Sequence, residues 1–259
     1  DEGFSVHLAT QGWRQILVGE LNLPPLYHLL LGAWVRLAGT SEFAVRYFSL
    51  GCGLLIVALG AALGGLLFGR RAGILTALFL AVSPIEVWYA QEARMYALLG
   101  ALTLASSVCL LRLLRGERKR WLWALYALAN IAAVYTHYYA ALILAAQAAW
   151  VLLHLFYRRD GALLRAWALA QAGLGLALLP WLPVFWPQWQ AANTTYWPGR
   201  LSWQFVAREA ALGFVGQSLT VSTPTATRLA LLSGALAALG ILMGLWRRRW
   251  RWGVLLLLL

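Results

Sequence analysis

The chain consists of long apolar stretches separated by short polar connections. Because the apolar residues run continuously rather than alternating, and because a backbone in lipid must satisfy its own hydrogen bonds, the pattern predicts helices. The sequence therefore predicts an all-α fold, a polytopic transmembrane helical bundle. Seven stretches have about the 20 apolar residues that a crossing needs, with a partial eighth near Trp252: 47–68, 72–90, 94–113, 121–138, 139–157, 163–186 and 226–246.

The composition agrees with a membrane protein. Hydrophobic residues make up 62% of the 259 residues, charged residues 12%, and the mean hydropathy is +0.69. A water-soluble domain of this length has no core large enough to bury so much apolar surface. The net charge of +12 would favour nucleic acid as the partner of a soluble protein. Here it is explained by basic connections facing an anionic leaflet, so membrane lipids are the expected partners and nucleic acid is not.

Charge alternates from one connection to the next. The positive-inside rule assigns the strongly basic connections to the cytoplasm. Of the 21 basic residues, 14 lie in these connections, near residues 70–71, 112–120, 158–165 and 247–251. The opposite connections then face outward. Richness in Ala, Leu, Trp and Arg is compatible with the inner (cytoplasmic) membrane of a bacterium.

This topology requires that the segment 24–38 does not cross the membrane. The segment is short and begins with Pro24-Pro25, which favours a helix lying in the interface. We therefore expect an external loop with interfacial, juxtamembrane helices over 1–46, and a second external loop over 187–225. The chain 1–259 is predicted to be one transmembrane domain. It begins without Met and ends in a short apolar run, so we expect it to be a fragment of a longer protein.

Two acidic residues open the first predicted external loop. Asp1 and Glu2 precede an amphipathic stretch, and a partly buried carboxylate near the membrane surface is suited to deprotonating an incoming hydroxyl. The alternative is that both are solvated loop charges. The sequence of this loop leaves the two interpretations open.

A second polar group lies where the second span ends and the third begins, in Trp88-Tyr89-Ala90-Gln91-Glu92-Ala93-Arg94-Met95-Tyr96. Arg94 offers a planar set of donors that fits a phosphate diester, and Glu92 is suited to orienting the arginine or binding a sugar hydroxyl or cation. The alternative is an interfacial aromatic belt with a local ion pair.

A third group is Tyr135-Thr136-His137-Tyr138-Tyr139, between two spans with almost no loop. His137 and its tyrosine neighbours are suited to holding a phosphate or a sugar ring, although a single histidine at an aromatic interface is more often structural. No second histidine has metal-ligand spacing and no nucleotide-binding loop is present, so no metal site is predicted.

Four local features in order resemble those of the membrane-integral C-type glycosyltransferases, in the branch with the protein O-mannosyltransferases and the lipid A aminoarabinose transferase. They cover about half of the chain, and Asn22-Leu23 replaces the His or charged residue that many relatives carry before the proline pair. The four features are Asp1-Glu2, Pro24-Pro25-Leu26-Tyr27, Gln91-Glu92-Ala93-Arg94-Met95-Tyr96 and Thr136-His137-Tyr138-Tyr139.

The resemblance implies that a helix precedes Asp1 and that the acidic pair opens the first external loop. It implies catalytic roles for Asp1, as the base, and for Glu2 and Glu92. Arg94 and His137 would lie near a lipid phosphate. With them, Tyr27, Tyr96 and Tyr138 complete the expected substrate-binding set.

The expected function is that of a glycosyltransferase. It moves a sugar from a polyprenyl-phosphate donor to a hydroxyl of a lipid, glycan or protein acceptor on the extracytoplasmic side, with inversion. The sequence requires no cofactor and is compatible with a divalent cation. Two alternatives remain open, namely a polytopic transporter or lipid flippase, and a noncatalytic subunit that binds a sugar-lipid.

Overall fold

The computed structural model describes residues 2–19 and 23–195, together with positions 228, 232, 234, 235 and 239. All regular structure in this described part is helical, which confirms the predicted all-α class. A short 3-10 turn, Leu179–Trp181, joins the last two helices. The helices in chain order are α1 (Glu2–Thr10), α2 (Trp13–Gly19), α3 (Leu26–Ala38), α4 (Glu42–Phe68), α5 (Arg70–Val82), α6 (Pro84–Gln91), α7 (Tyr96–Leu114), α8 (Arg120–Thr136), α9 (Ala140–Arg158), α10 (Gly161–Leu178) and α11 (Leu182–Thr195).

Three short helices precede the first long one, within the segment 1–46 for which the sequence predicts interfacial helices. The last of them, α3, has 13 residues and is about 20 Å long at about 1.5 Å per residue. A bilayer core is about 30 Å thick, so α3 is too short to cross it. The helix ends at Gly39, whose φ of 87° favours glycine because it has no Cβ.

The longest helix, α4, lies in the middle of the bundle and packs against α3, α5, α6 and α7. The hydroxyl of Ser41 caps its start by accepting a hydrogen bond from the Ala44 N–H at 3.3 Å. Its 27 residues are long and apolar enough to cross a membrane. It therefore forms the scaffold against which the shorter helices are placed.

The predicted span 72–90 is broken rather than straight. Helices α5 and α6 meet at an angle of 58°. The break lies at Ser83, which has an extended backbone (φ −65°, ψ 122°) and is followed by Pro84. A proline disfavours helical geometry in the residue before it and donates no backbone hydrogen bond, so the helix restarts in a new direction.

Small residues allow α4 and α5 to approach closely. A Cβ added to Gly64 would lie 2.4 Å from the Thr76 Oγ1, and one added to Gly73 would lie 2.6 Å from the Ala61 carbonyl oxygen. Lipid provides no hydrophobic driving force between helices, so close van der Waals packing of this kind holds them together. The bent pair is thereby fixed against the central helix.

Fewer helices pass as membrane spans than the six predicted over residues 47–186. Four are long and apolar enough, and the bent pair α5–α6 makes a fifth if it is one span. The predicted span 121–138 corresponds to α8, whose 17 residues are not among them. The predicted span 226–246 lies mostly outside the described residues. So does most of the loop predicted over 187–225, although its first residues continue α11 as far as Thr195.

The connections meet at two opposite ends of the bundle. We call one of them the basic end. There the α7–α8 connection contacts the α4–α5 connection and the α9–α10 connection. Arg115 donates to the Leu66 carbonyl at the end of α4, and Arg118 pairs with Asp160 before α10. At the other end, which we call the site end, the α6–α7 and α8–α9 connections meet. This grouping agrees with the alternation of charge along the sequence.

Candidate active site

Glu2, at the start of α1, joins three parts of the site end. Its Oε1 accepts a hydrogen bond from the Ala93 N–H at 2.8 Å and another from Arg46 Nε at 3.3 Å. Its Oε2 accepts from Arg46 Nη2 at 2.8 Å. The carboxylate therefore links α1 to α4 and to the α6–α7 connection. Asp1, the predicted base, lies outside the described residues.

The guanidinium of Arg46 controls the ionisation of Glu2. Its hydrogen bonds hold the pKa of that carboxyl below the usual value, against an opposing effect of partial burial, and the Ala93 N–H adds to the lowering. The Glu2 side chain is 32% exposed. Glu2 is consequently ionised at neutral pH.

The α6–α7 connection alternates between buried and half-buried residues. Ala93 and Met95 are buried in the core, while Glu92 and Arg94 are only partly buried. Glu92 ends α6 in an extended conformation, and its carbonyl accepts from the Arg94 N–H at 2.8 Å. Two apolar side chains thus anchor the connection, and the two charged residues between them remain at the site end.

Arg94 lies among the rings of the site end. Its guanidinium carbon is 5.7 Å from the centre of the Tyr96 ring, and its charge acts on Tyr27 and His137. Burial, and then the charge of Arg94, lower the pKa of His28 to about 4. The neighbouring imidazole is therefore neutral at physiological pH and adds no positive charge beside Arg94.

A row of rings extends from α6 to the α8–α9 connection. Tyr89 and Tyr96 have centroids 4.7 Å apart, Tyr96 and His137 6.0 Å, and His137 and Tyr139 4.5 Å. The Tyr139 N–H donates to His137 Nδ1 at 3.1 Å. Because Nδ1 accepts, the neutral imidazole carries its proton on Nε2, which is then a hydrogen-bond donor.

The structure separates two of the expected substrate-binding tyrosines from this row. Tyr138 packs against α11, where its hydroxyl donates to Gln188 Oε1 and accepts from Trp181 Nε1 at 3.0 Å. Tyr27 is 1% exposed and packs against Phe48 in the core, with ring centroids 5.9 Å apart. Arg94, Tyr96 and His137 are brought together, as predicted.

Two residues beside the site were not singled out by the sequence. Arg46, the partner of Glu2, lies one turn into α4, and His28 is buried on α3 next to Tyr27. Arg46 did carry a signal, since an arginine near the start of an apolar span is costly unless a carboxylate pairs with it. His28 carried none, because its burial depends on how α3 packs.

The structure also has an apolar cavity of about 450 Å³. It lies between α2, α3 and the joint of α10 with α11. Two of its lining residues immediately precede Tyr27, and another is two residues before His137. In the part of the chain that the structure describes, no three His, Cys, Asp or Glu side chains converge to hold a metal ion. The cavity is lined by Leu17, Pro25, Leu26, Leu29, Tyr135, Pro180, Trp181 and Val184.

Comparison with known proteins connects this arrangement to a family. A crystal structure of ArnT from Cupriavidus metallidurans in the apo state has the same fold. The TM-score is 0.60 at 18% identity, over 92% of this chain and 49% of that chain. This chain therefore spans about half the length of that protein. No curated protein sequence matches it.

Residues 22–186, more than half of the chain, match the family described as dolichyl-phosphate-mannose-protein mannosyltransferase. The match confirms the resemblance inferred from the sequence, and the chain belongs to the dolichyl-phosphate-mannose-protein mannosyltransferase family.

Proposed function

We propose that the site end belongs to a glycosyltransferase that moves a sugar from a polyprenyl-phosphate donor to an acceptor hydroxyl on the extracytoplasmic side. The observation that carries the proposal is the position of Arg94. This cation lies among aromatic rings at one end of a membrane bundle, and the same bundle has an apolar cavity lined in part by the residues just before Tyr27 and by Tyr135. A phosphate joined to a sugar and to a long hydrocarbon requires that combination of a cation, rings and apolar space. Membership of the family supports the same chemistry.

In this proposal the phosphate binds to Arg94 and to the Nε2–H of His137. Arginine presents paired donors that match two oxygens of a phosphate diester, and the histidine adds a further donor from the α8–α9 connection. The apolar cavity accommodates the first part of the isoprenoid tail. Tyr96, between Arg94 and His137, provides a surface on which the sugar ring stacks.

The reaction is a single displacement. The acceptor oxygen forms a bond to the anomeric carbon, the bond from that carbon to the phosphate oxygen breaks, and the configuration inverts. The hydroxyl proton passes to the carboxylate of Asp1, and polyprenyl phosphate leaves as an anion that Arg94 stabilises. In this proposal Glu92 binds a sugar hydroxyl, or a divalent cation if the reaction uses one.

The test is an assay of the purified protein with a panel of polyprenyl-phosphate sugars and candidate acceptors. Wild type is expected to release polyprenyl phosphate and form a glycosidic bond. Asp1→Asn should lower turnover on the order of a thousandfold, because an amide does not accept the proton, while donor binding stays within about twofold. Movement of intact donor across vesicles without release would instead support the transporter alternative.

A further inference from the structure

Glu2 has surroundings unlike those of a general base. Both of its oxygens are engaged, Oε1 by the Ala93 N–H and Arg46 Nε, and Oε2 by Arg46 Nη2. A base needs a lone pair directed at the substrate and a basicity near the working pH. A paired guanidinium stabilises the charged carboxylate and reduces its tendency to take up a proton. The role expected from the sequence therefore does not fit this carboxylate.

We propose that Glu2 is a positioning residue, which fastens the start of α1 to α4 and to the α6–α7 connection. This inference rests on the proposed function, in which Asp1 is the base and Arg94 binds the phosphate. Asp1 is joined to Glu2 by a peptide bond, so Glu2 fixes the point at which the base is attached. By holding Ala93, it also fixes the backbone between Glu92 and Arg94.

We call the contacts of Glu2 with Arg46 and with Ala93 the clamp. Within the clamp, the bond to Ala93 is the one that acts on the site. Ala93 is 1% exposed, and its N–H follows the extended backbone of Glu92, which turns the chain away from the carbonyls of the last turn of α6. The sequence separation between Glu2 and Ala93 is 91 residues. Removing the acceptor frees the connection to move away from α1, and with it the side chains on either side of Ala93.

A second contact fixes α1 along its length. A Cβ added to Gly32 on α3 would lie 2.7 Å from the Ala9 carbonyl oxygen, so the two helices touch through their backbones. Helix α1 is thus held near its end by Gly32 and at its start by Glu2. Two fixed points determine the direction in which the start of α1 faces, and a shift of about 1 Å at a reacting group costs up to a hundredfold in rate.

The chain offers a matched control on the same arginine. Glu42 Oε1 lies 2.6 Å from Arg46 Nη1, but its side chain is 74% exposed and is only one helical turn from Arg46. An exposed pair within one helix contributes little. Glu42→Gln therefore removes a carboxylate from Arg46 without touching α1 or the α6–α7 connection.

The experiment is a double-mutant cycle in the full-length protein with Glu2→Gln, Arg46→Gln and both together. The readouts are the kcat and KM for polyprenyl phosphate release across a range of pH. Each single variant is expected to lower kcat by about tenfold to a hundredfold. The double variant should cost no more than the worse single one, because both act through the same bonds. Glu42→Gln should stay within about twofold of wild type.

Two further readouts separate positioning from proton transfer. The acidic limb of the pH–rate profile should keep its midpoint in Glu2→Gln, because another group is the base. Glu2→Ala should lower kcat further than Glu2→Gln, since glutamine retains an oxygen that accepts from Ala93. Loss of the acidic limb in Glu2→Gln, with Arg46→Gln within about twofold of wild type, would overturn the proposal. Additive effects of Glu2→Gln and Arg46→Gln on kcat in the double variant would overturn it too.

The coupling between Glu2 and Arg46 is also tested without any donor, through protein stability. The same four proteins are compared by their midpoints of thermal unfolding, which do not depend on turnover. If wild type releases no polyprenyl phosphate, the proposed function fails, while coupling between Glu2 and Arg46 in the unfolding midpoints still supports the clamp. Independent effects of the two substitutions on the midpoints would overturn the clamp even in an active enzyme.

Discussion

The two ends of the bundle carry similar ion pairs that connect very different lengths of chain. At the basic end, Arg112 and Glu117 are five residues apart and close the turn after α7 through two bonds of 2.8 Å. At the site end, Arg46 and Glu2 are 44 residues apart, and the same carboxylate accepts from the Ala93 backbone. The first pair stabilises one turn, whereas the second assembles three separate parts of the chain.

The charged residues at the two ends also differ in how far they are exposed to solvent. Arg118, Lys119 and Arg120 at the basic end are exposed to solvent, where charges interact weakly. At the site end, Arg94 is partly buried beside His28 and Tyr27, which are 3% and 1% exposed. Charges in such surroundings interact more strongly and mark functional sites more often. These surroundings support the proposal that the anionic donor binds at the site end, even though most of the described arginines lie elsewhere.

The largest expected difference between the ends concerns Arg94 and Arg112. Arg94→Gln should lower kcat/KM for a polyprenyl-phosphate donor on the order of tenfold to a hundredfold, mainly through KM, because a charged partner of the phosphate is lost. Arg112→Gln, the matched change at the basic end, should leave kcat/KM within about twofold. Equal losses in the two variants would remove the distinction between the ends.

The second-largest expected effect is a dependence of protein stability on pH, which arises from His28 at the site end. Because the pKa of His28 falls to about 4 in the folded protein, from about 6.5 in an unfolded chain, the unfolded state binds the proton first on acidification. Stability should therefore fall as the pH decreases from about 6.5 towards about 4, by on the order of 3 kcal/mol, and His28 adds no further slope below that.

Thermal unfolding of wild type and His28→Gln over pH 4 to 8 measures this contribution. The variant should lose the part of the slope that lies between about pH 4 and 6.5. The carboxylates of Glu117 and Asp160 at the basic end, whose pKa values are held low by Arg112 and by the Leu163 N–H, lose their contribution only at more acidic pH. An unchanged slope in His28→Gln would show that His28 takes up its proton as readily in the folded protein as in the unfolded chain.

The smallest expected effect compares two glycines. Gly32→Ala forces a methyl group against the Ala9 carbonyl and should lower stability by about 1–3 kcal/mol through overpacking. Gly161→Ala at the basic end places its methyl group in open space at the start of α10. It should leave the midpoint of thermal unfolding unchanged or slightly raised. A Gly32→Ala protein as stable as wild type would mean that α1 is free to shift.

Much of the fold was predictable because it follows from local patterns. The all-α class, a short helix after Pro24-Pro25 and the grouping of connections at two ends follow from apolar length and charge. The bend at Ser83 was missed although Pro84 signals it, because the apolar residues continue through the break. The 17 residues of α8 likewise have no sequence boundary that separates them from a full span.

The site was predictable only as far as its residues are neighbours in sequence. Arg94 and Tyr96 lie in one short segment, and His137 was singled out with its tyrosine neighbours in another, but only the resemblance to the family related the two segments to one phosphate. The partner of Glu2 was not predictable, because the contact with Arg46 depends on how α1 lies against α4. Tyr138 shows the opposite case, since it neighbours His137 in sequence but bonds to Gln188 and Trp181 on the other side of the connection.

The most direct test of the assignment is a cryo-electron microscopy structure of the full-length protein with bound polyprenyl phosphate. The account predicts the phosphate within hydrogen-bond distance of Arg94 and His137 Nε2, with the first isoprene units in the cavity beside Tyr135 and Trp181. A phosphate bound instead among the arginines of the basic end, with the site end empty, would contradict it.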